Sequence, residues 1–263
     1  MKNIHALNNT TSQHTFSILF YLILLVFTFC SPFLSQAQIK TYELEDFNKV
    51  TVSPHIEVTF KQGTQSKVVV ESSTEPIEKL HVEVKKNTLN LYLEDAKIVT
   101  KNKKGTMNNG YYNSSIYSGT VIKATVYYKT IEDLSLRGKE RFVFESPLAT
   151  ERIRFNIYGE SQLYIRELHL KELKINSYGD SFLKIDSGTV ENQKIVAYGE
   201  STVNTLNLST ESTKIIAYGS GSFQLNASKR LKVTSYGEAT ISYKGDADLN
   251  KGIIIGESTI VKL

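Results

Sequence analysis

Three kinds of chemically active side chain recur at fixed positions around a glycine in the second half of the chain. Acids follow the glycine at Glu160, Asp180, Glu200, Glu238 and Glu257. Tyrosines precede it at Tyr158, Tyr178, Tyr198, Tyr218 and Tyr236. Bases stand five residues before it at Arg154, Lys174, Lys194, Lys214, Lys232 and Lys251. Carboxylates, phenols and ammonium groups in such rows could hold a cation, bind a ligand or pair with one another.

The rows have a plain interpretation and a functional one. Charged rows on a sheet surface oppose edge-to-edge pairing, and stacked tyrosines pack on each other. The functional interpretation is a binding face for a polyanionic or neutral glycan. Carboxylates about 5 Å apart repel by roughly 0.8 kcal/mol in water, so an exposed acid row needs no counter-ion. Calcium prefers six or more oxygens from a cupped loop. We therefore expect no metal and no cofactor.

Evidence for catalysis is thin in this sequence. His55, His81 and His169 show no metal-ligand spacing, and there is no G-x-S-x-G motif or phosphate-binding loop. The connections within the repeat are too short to wall a cleft of acids, so we expect no catalytic residue. The formal net charge of +4 is too small for a dedicated nucleic-acid binder, and we expect no nucleic-acid partner.

The glycines of the recurring phrase Tyr-Gly-Glu-Ser step by about 20 residues, which is typical of stacked-repeat proteins. Apolar residues alternate on both sides of each glycine, so each unit is predicted to be strand, tight turn and strand with one buried face. No unit can bury that face alone. The sequence therefore predicts an all-β fold, a parallel β-helix or solenoid of about 20 residues per coil.

Three other folds fit the pattern less well. Left-handed hexapeptide helices keep a six-residue rhythm, and leucine-rich repeats require a phrase that only Leu170, Leu173 and Ile175 begin. An antiparallel sandwich would show turns every 8–12 residues without one returning phrase.

Residues 1–37 are predicted to be a secretory signal peptide. Lys2 precedes an apolar run from Phe16 to Phe29, and Ser35-Gln36-Ala37 fits the rule for a cleavage site. The run is too short to span a bilayer, so we expect no transmembrane anchor after cleavage. Lipid attachment at Cys30 is a weaker alternative, because Phe29 stands where a small residue is required.

Residues 38–263 are predicted to form a single solenoid domain. Residues 134–263 carry the regular repeats, whereas residues 39–133 lack the glycine phrase and are predicted to be irregular first coils. Within them, residues 99–119 have the composition of a loop, with Tyr111 and Tyr112 as candidates for a local contact. A mobile, solvated excursion is the plainer interpretation of this loop.

Several of these features resemble a known family, the putative auto-transporter adhesin, head GIN domain family. The resemblance rests on Phe47-x-x-Val50, Ile56-Glu57-Val58 before Gly63, Leu89-Asn90-Leu91 and the Tyr-Gly-Glu-Ser coils, and covers about residues 42–260. It implies a right-handed β-helix at the envelope or surface of Bacteroidetes-like bacteria. It implies no catalytic residue.

Together these observations predict an exported, non-enzymatic solenoid in the periplasm, on the outer-membrane surface or in the medium. Its expected role is adhesion, with a cell-surface glycan or an envelope protein as partner. The alternative is a structural scaffold that self-associates through its coil ends, because the segment from Gly252 to Leu263 is apolar. A polysaccharide-cleaving enzyme is the third reading.

Overall fold

The computed structural model describes residues 40–107 and 110–263, with side chains described outside residues 104–113. The predicted signal peptide and Cys30 lie outside the described residues. The described residues belong to one compact unit.

The described chain contains twenty-four strands and one 3₁₀ turn at Ile77–Lys79. The first twelve strands are β1 (Lys40–Glu43), β2 (Lys49–Val52), β3 (Ile56–Gln62), β4 (Lys67–Ser73), β5 (Leu80–Lys85), β6 (Thr88–Leu93), β7 (Asn102–Met107), β8 (Gly110–Ser115), β9 (Ile122–Tyr128), β10 (Asp133–Gly138), β11 (Arg141–Phe144) and β12 (Leu148–Ala149). The others are β13 (Arg152–Gly159), β14 (Gln162–Ile165), β15 (Leu168–Tyr178), β16 (Phe182–Ile185), β17 (Gly188–Tyr198), β18 (Thr202–Asn204), β19 (Leu208–Gly219), β20 (Ser222–Asn226), β21 (Arg230–Gly237), β22 (Thr240–Lys244), β23 (Asp248–Ile255) and β24 (Thr259–Lys262).

These strands build two long sheets that run the length of the molecule. Sheet A has the order β1-β4-β9-β3-β11-β14-β16-β18-β20-β22-β24, and sheet B has the order β23-β21-β19-β17-β15-β13-β10-β2-β6-β5. From β10 onward each strand pairs in parallel with the strand one coil away, about 20 residues along the chain. The predicted parallel β-solenoid is confirmed.

One coil consists of a short strand in sheet A and a long strand in sheet B that bends in the middle. In β17 the alternation of buried and exposed residues breaks at Glu191 and Asn192, which are both exposed. The ladder to the next coil skips Glu191, pairing Val190 with Thr210 and then Asn192 with Ser212. The long strands therefore turn a corner at this point.

The glycine phrase is explained by contacts between neighbouring coils at the turn. Gly199 has φ of 103°, and a Cβ there would lie 2.9 Å from the carbonyl oxygen of Gly179. Only glycine combines this left-handed backbone with such a close approach. The serine of the phrase caps the same turn, since the hydroxyls of Ser201 and Ser258 donate to the carbonyl oxygens of Gly179 (2.9 Å) and Gly237 (3.0 Å).

The interior of the described part is mostly apolar, and a polar cluster interrupts it around Gln193. The column six residues after each glycine contains buried apolar residues such as Ile185 and Leu225, but Thr205 breaks it. The hydroxyls of Thr205 and Thr213 donate to Oε1 of buried Gln193, at 3.4 Å and 3.2 Å. Thr205 therefore belongs to a small polar cluster inside the solenoid.

The first coil in the sequence is not the first coil in space. Strands β2 and β3 pair in parallel with β10 and β11 on one side and with β6 and β9 on the other. Beyond them the end of the stack is antiparallel, with β4 on β9 and the β5–β6 hairpin, whose turn residues Lys86 and Asn87 have positive φ. Strands β2 and β3 therefore belong to the parallel stack, and the antiparallel strands beyond them form an irregular cap.

The segment predicted to be a loop at residues 99–119 contains regular structure. Strands β7 and β8 pair with each other in an antiparallel two-stranded sheet. The sequences of the two strands, NKKGTM and GYYNSS, lack the apolar–polar alternation by which a half-buried strand is recognised. Tyr111 and Tyr112 lie on β8, and their side chains are outside the described part.

The last coil departs from the column of bases. Between β21 and β23 the register shifts, so Asn250 faces Lys232 while Lys251 faces Val233. The prediction that Lys251 continues the basic row is therefore wrong. The bulge places Gly252 and Ile253 opposite the single residue Thr234.

Candidate functional site

Five tyrosines stack into a continuous ladder on the outward side of sheet B. The ring centroids of neighbours from Tyr158 to Tyr236 lie 5.0, 5.2, 4.7 and 4.9 Å apart, and the ring planes differ by no more than 8°. The in-register pairing of the strands produces this geometry directly, because equivalent residues occupy equivalent places on adjacent coils. We call these five residues the tyrosine ladder.

The stacking hides the ring faces and leaves the ring edges and hydroxyls for a ligand. Each inner ring is covered on both faces by its neighbours, and the guanidinium of Arg137 covers Tyr158 at 4.4 Å from the ring centroid. At the other end Tyr236 is aligned with Ile255 of the last coil. Burial, followed by the neighbouring phenols, raises the pKa of Tyr178, so its hydroxyl remains a donor at neutral pH. A sugar ring therefore cannot stack on this ladder, but its hydroxyl groups can exchange hydrogen bonds with the tyrosine hydroxyls.

The bases form a second in-register column on the same side. Arg154, Lys174, Lys194, Lys214 and Lys232 occupy successive strands. Arg154 pairs with Asp133 at 3.3 Å, whereas within residues 40–107 and 110–263 the four lysines have no ion pair. Ammonium groups at the strand spacing of about 4.8 Å would repel by about 0.9 kcal/mol per neighbouring pair in water. The four lysines thus form an unneutralised row of positive charge.

A groove of about 640 Å³ follows this column beside the corner of the long strands. We call it the basic groove. Its basic residues are Lys49, Arg152, Arg154, Lys174, Lys194, Lys214, Arg230 and Lys232, and its acids are Glu132, Asp133 and Glu172. The surplus of five positive charges among these residues exceeds the +4 of the whole chain. The positive charge of the protein is therefore concentrated here.

The acids form the predicted third row, in the exposed turns. Glu160, Asp180, Glu200 and Glu238 are exposed, and Lys139 pairs with Glu160 at 2.6 Å. This contact raises the pKa of Lys139. Among the described residues no group of three or more His, Cys, Asp and Glu side chains could hold a metal ion.

An apolar cleft that no sequence pattern indicates lies at the start of the tyrosine ladder. It has a volume of about 350 Å³ and is lined by Ile98, Val99, Arg137 and Tyr158, among others. Ile98 and Val99 are 63% and 73% exposed. The segment leading into the β7–β8 hairpin thus lies beside the ladder, although the two are about 60 residues apart in sequence.

The three histidines of the described part, His55, His81 and His169, lie in separate environments. His55 contacts the carbonyl oxygen of Gly119 and the hydroxyl of Thr100, and His81 stacks on Tyr92. His169 contacts Glu167 and Thr189 on another coil. These positions bring no two histidines together. Within the described ranges, the search for a helix of the length and apolarity needed to span a membrane found none.

The fold and the laddered outer surface define a parallel β-solenoid protein with like residues aligned along its axis. A family model described as putative auto-transporter adhesin, head GIN domain, matches residues 46–247. The chain belongs to this family, as its repeat phrase predicted.

Solved structures from Bacteroides and Parabacteroides species share this fold. A putative adhesin from Bacteroides fragilis is 20% identical, covering 87% of this chain and 98% of its own, with a TM-score of 0.74. A putative adhesin from Parabacteroides merdae is 15% identical, covering 88% and 97%, with a TM-score of 0.63. A putative lipid binding protein from Parabacteroides distasonis is 18% identical, covering 88% and 98%, with a TM-score of 0.64. No curated protein matches the chain.

Proposed function

We propose that this chain is an exported, non-enzymatic adhesin-like protein that binds a glycan or a protein of the cell envelope. The observation that carries the proposal is the in-register surface of sheet B, where the tyrosine ladder and the column of lysines are exposed side by side. Family membership and the adhesin-named neighbours support the same role. The N-terminal pattern of residues 1–37 supports export, which sequencing the N-terminus of the mature protein tests: a start at Met1 would contradict it.

The ladder binds by its hydroxyls in this proposal. Tyr178, Tyr198 and Tyr218 are 38%, 41% and 37% exposed, so their edges and phenol groups face solvent at a regular spacing. A repeating ligand can meet one hydroxyl per coil, and each hydrogen bond contributes about 0.5–1.5 kcal/mol. A ligand that makes several of these weak contacts at once binds more tightly than one that makes a single contact.

Replacing Tyr178, Tyr198 and Tyr218 together with phenylalanine should weaken partner binding by about tenfold or more, because the hydroxyls are lost while the ring stack remains. A glycan array and a pull-down from envelope extracts identify the partner, and titration of that partner measures the loss. The control replaces Tyr127 and Tyr164 on sheet A with phenylalanine and should leave binding unchanged. An empty array together with an empty pull-down would contradict the proposal.

Self-association is the second candidate, favoured by the last described coil. Ile253, Ile255 and Val261 are 56%, 59% and 44% exposed on β23 and β24, the outermost strands of their sheets. Exposed apolar edge strands are templates for pairing with another chain. Light scattering at increasing protein concentration tests this, and a constant monomer mass would exclude it.

A further inference from the structure

We propose that the basic groove binds a linear acidic polysaccharide that lies along the axis of the solenoid. The proposal shares the binding role proposed above but does not depend on the tyrosine ladder. It names a separate site, beside the corner of the long strands, and a chemical class of ligand, a chain of sugars that carries carboxylate or sulfate groups.

The lysines of the basic groove are not neutralised by ion pairs with neighbouring acids. The described residues contain thirteen ion pairs, most of them lysines facing an acid on the same or the next coil. Lys174, Lys194, Lys214 and Lys232 take part in none of these pairs. On the groove side of the corner, Asn192 and Ser212 supply hydrogen-bonding groups beside Lys194 and Lys214, whereas the acid Glu172 holds the equivalent position beside Lys174. The charge of the groove is therefore available to an external anion.

The basic groove is long, and the lysines along it are regularly spaced. It extends over the seven strands β2, β10, β13, β15, β17, β19 and β21, which span about 29 Å at the spacing of adjacent strands. A small anion would use one or two of these positions. A linear polymer with a repeated negative charge can contact one unpaired lysine on each of the four successive strands β15, β17, β19 and β21.

The surroundings of the groove favour a polysaccharide over a nucleic acid as the ligand. Single-stranded nucleic acids are bound by proteins through bases stacked on aromatic faces, and the faces of the nearby tyrosine ladder are covered. Each phosphate of a duplex strand advances about 3.4 Å along the helix axis, which does not match the coil spacing of about 4.8 Å. Sugar hydroxyls, in contrast, match Asn192 and Ser212 in the groove.

The test measures binding of oligogalacturonates to the full chain by calorimetry at several salt concentrations. A chain long enough to span the groove should bind more tightly than the disaccharide, and added salt should weaken it. Replacing Lys194 and Lys214 with glutamine should weaken binding by about tenfold or more, whereas replacing both with arginine should preserve it. The control K184Q with K244Q removes the same charge from sheet A and should change affinity by less than about twofold.

Three results would overturn the proposal: no binding of the long oligogalacturonate at low salt, an equal loss in the sheet A control, or equally tight binding of single-stranded DNA. The triple tyrosine-to-phenylalanine variant separates the two sites. It should bind oligogalacturonate like the unaltered chain. If oligogalacturonate does not bind while the tyrosine-dependent partner is still captured, only the groove proposal fails.

Discussion

Replacing Phe144 with alanine is expected to lower the free energy of unfolding by about 3–5 kcal/mol, the largest effect of any single change considered. Phe144 is fully buried, and its ring stacks on Phe60 at 4.5 Å between centroids. Tyr128 and Phe155 pack against the same ring at 5.9 Å and 6.3 Å. The lost side chain would leave a cavity where the N-terminal cap joins the repeats. Urea unfolding monitored by circular dichroism measures the change.

The matched control is Phe182, which lies half-buried on the outward side of sheet A against Tyr164. Phe182→Ala should cost about 1 kcal/mol, because a half-exposed ring leaves no closed cavity. Equal losses from the two substitutions would contradict the position of Phe144 between the coils. A large loss from Phe144→Ala alone would support the insertion of β2 and β3 against the repeats.

Replacing Gly219 with valine is expected to cost about 3 kcal/mol, through strain at a backbone position that L-residues avoid. The φ of Gly219 is 116°, and a Cβ there would lie 2.6 Å from the carbonyl oxygen of Gly199. The backbone of the neighbouring coil cannot move aside without breaking the stack. The unfolding temperature should fall by about 10 °C for a domain of this size.

Gly63 provides the control for this substitution. A Cβ at Gly63 would meet Tyr127 at 3.5 Å, an ordinary contact, and its φ is outside the left-handed region. Gly63→Ala should therefore change the free energy of unfolding by less than about 0.5 kcal/mol. An unfolding midpoint for Gly219→Val equal to that of the unaltered chain would show that the turns are not in contact.

The regular half of the molecule could be predicted from the sequence because a fixed period determines which residues become neighbours. Once Gly179 and Gly199 are placed on adjacent coils, Tyr178 and Tyr198 must also be aligned. The same logic fails at Lys251, because one extra residue in the following bulge shifts the register. A bulge depends on local packing, which the period does not report.

The order of the N-terminal strands could not be predicted, because it depends on contacts between distant segments. Strands β10 and β11 follow β9 in the chain, yet they pair with the earlier strands β2 and β3, which contain Val50 and Val58. Nothing in the sequences of β2 and β3 indicates this pairing. The alternation patterns of all these strands are similar. Their pairing is determined by the shape of the core, including the stack of Phe60 on Phe144.

The sequence contains a pattern that indicates the corner beside the basic groove, although the glycine phrase is more prominent. Two consecutive residues that are not buried, such as Glu191 and Asn192, interrupt the alternation in the long strands β15, β17 and β19 and mark the corner. Reading that interruption would have placed the lysine column beside a bend rather than on a flat face. The covered faces of the tyrosine ladder, in contrast, depend on ring orientation, which no spacing reveals.

Disulfide formation between engineered cysteines tests most directly whether like residues are aligned along the axis. In a chain with Cys30 replaced by serine, Lys194→Cys and Lys214→Cys would place two thiols on facing positions of β17 and β19. The strand spacing of about 4.8 Å lies within the Cα separation that a disulfide requires. The account predicts rapid cross-linking of this pair and little of Lys194→Cys with Tyr218→Cys, four residues out of register. Equal cross-linking of both pairs, or cross-linking of the second pair alone, would contradict it.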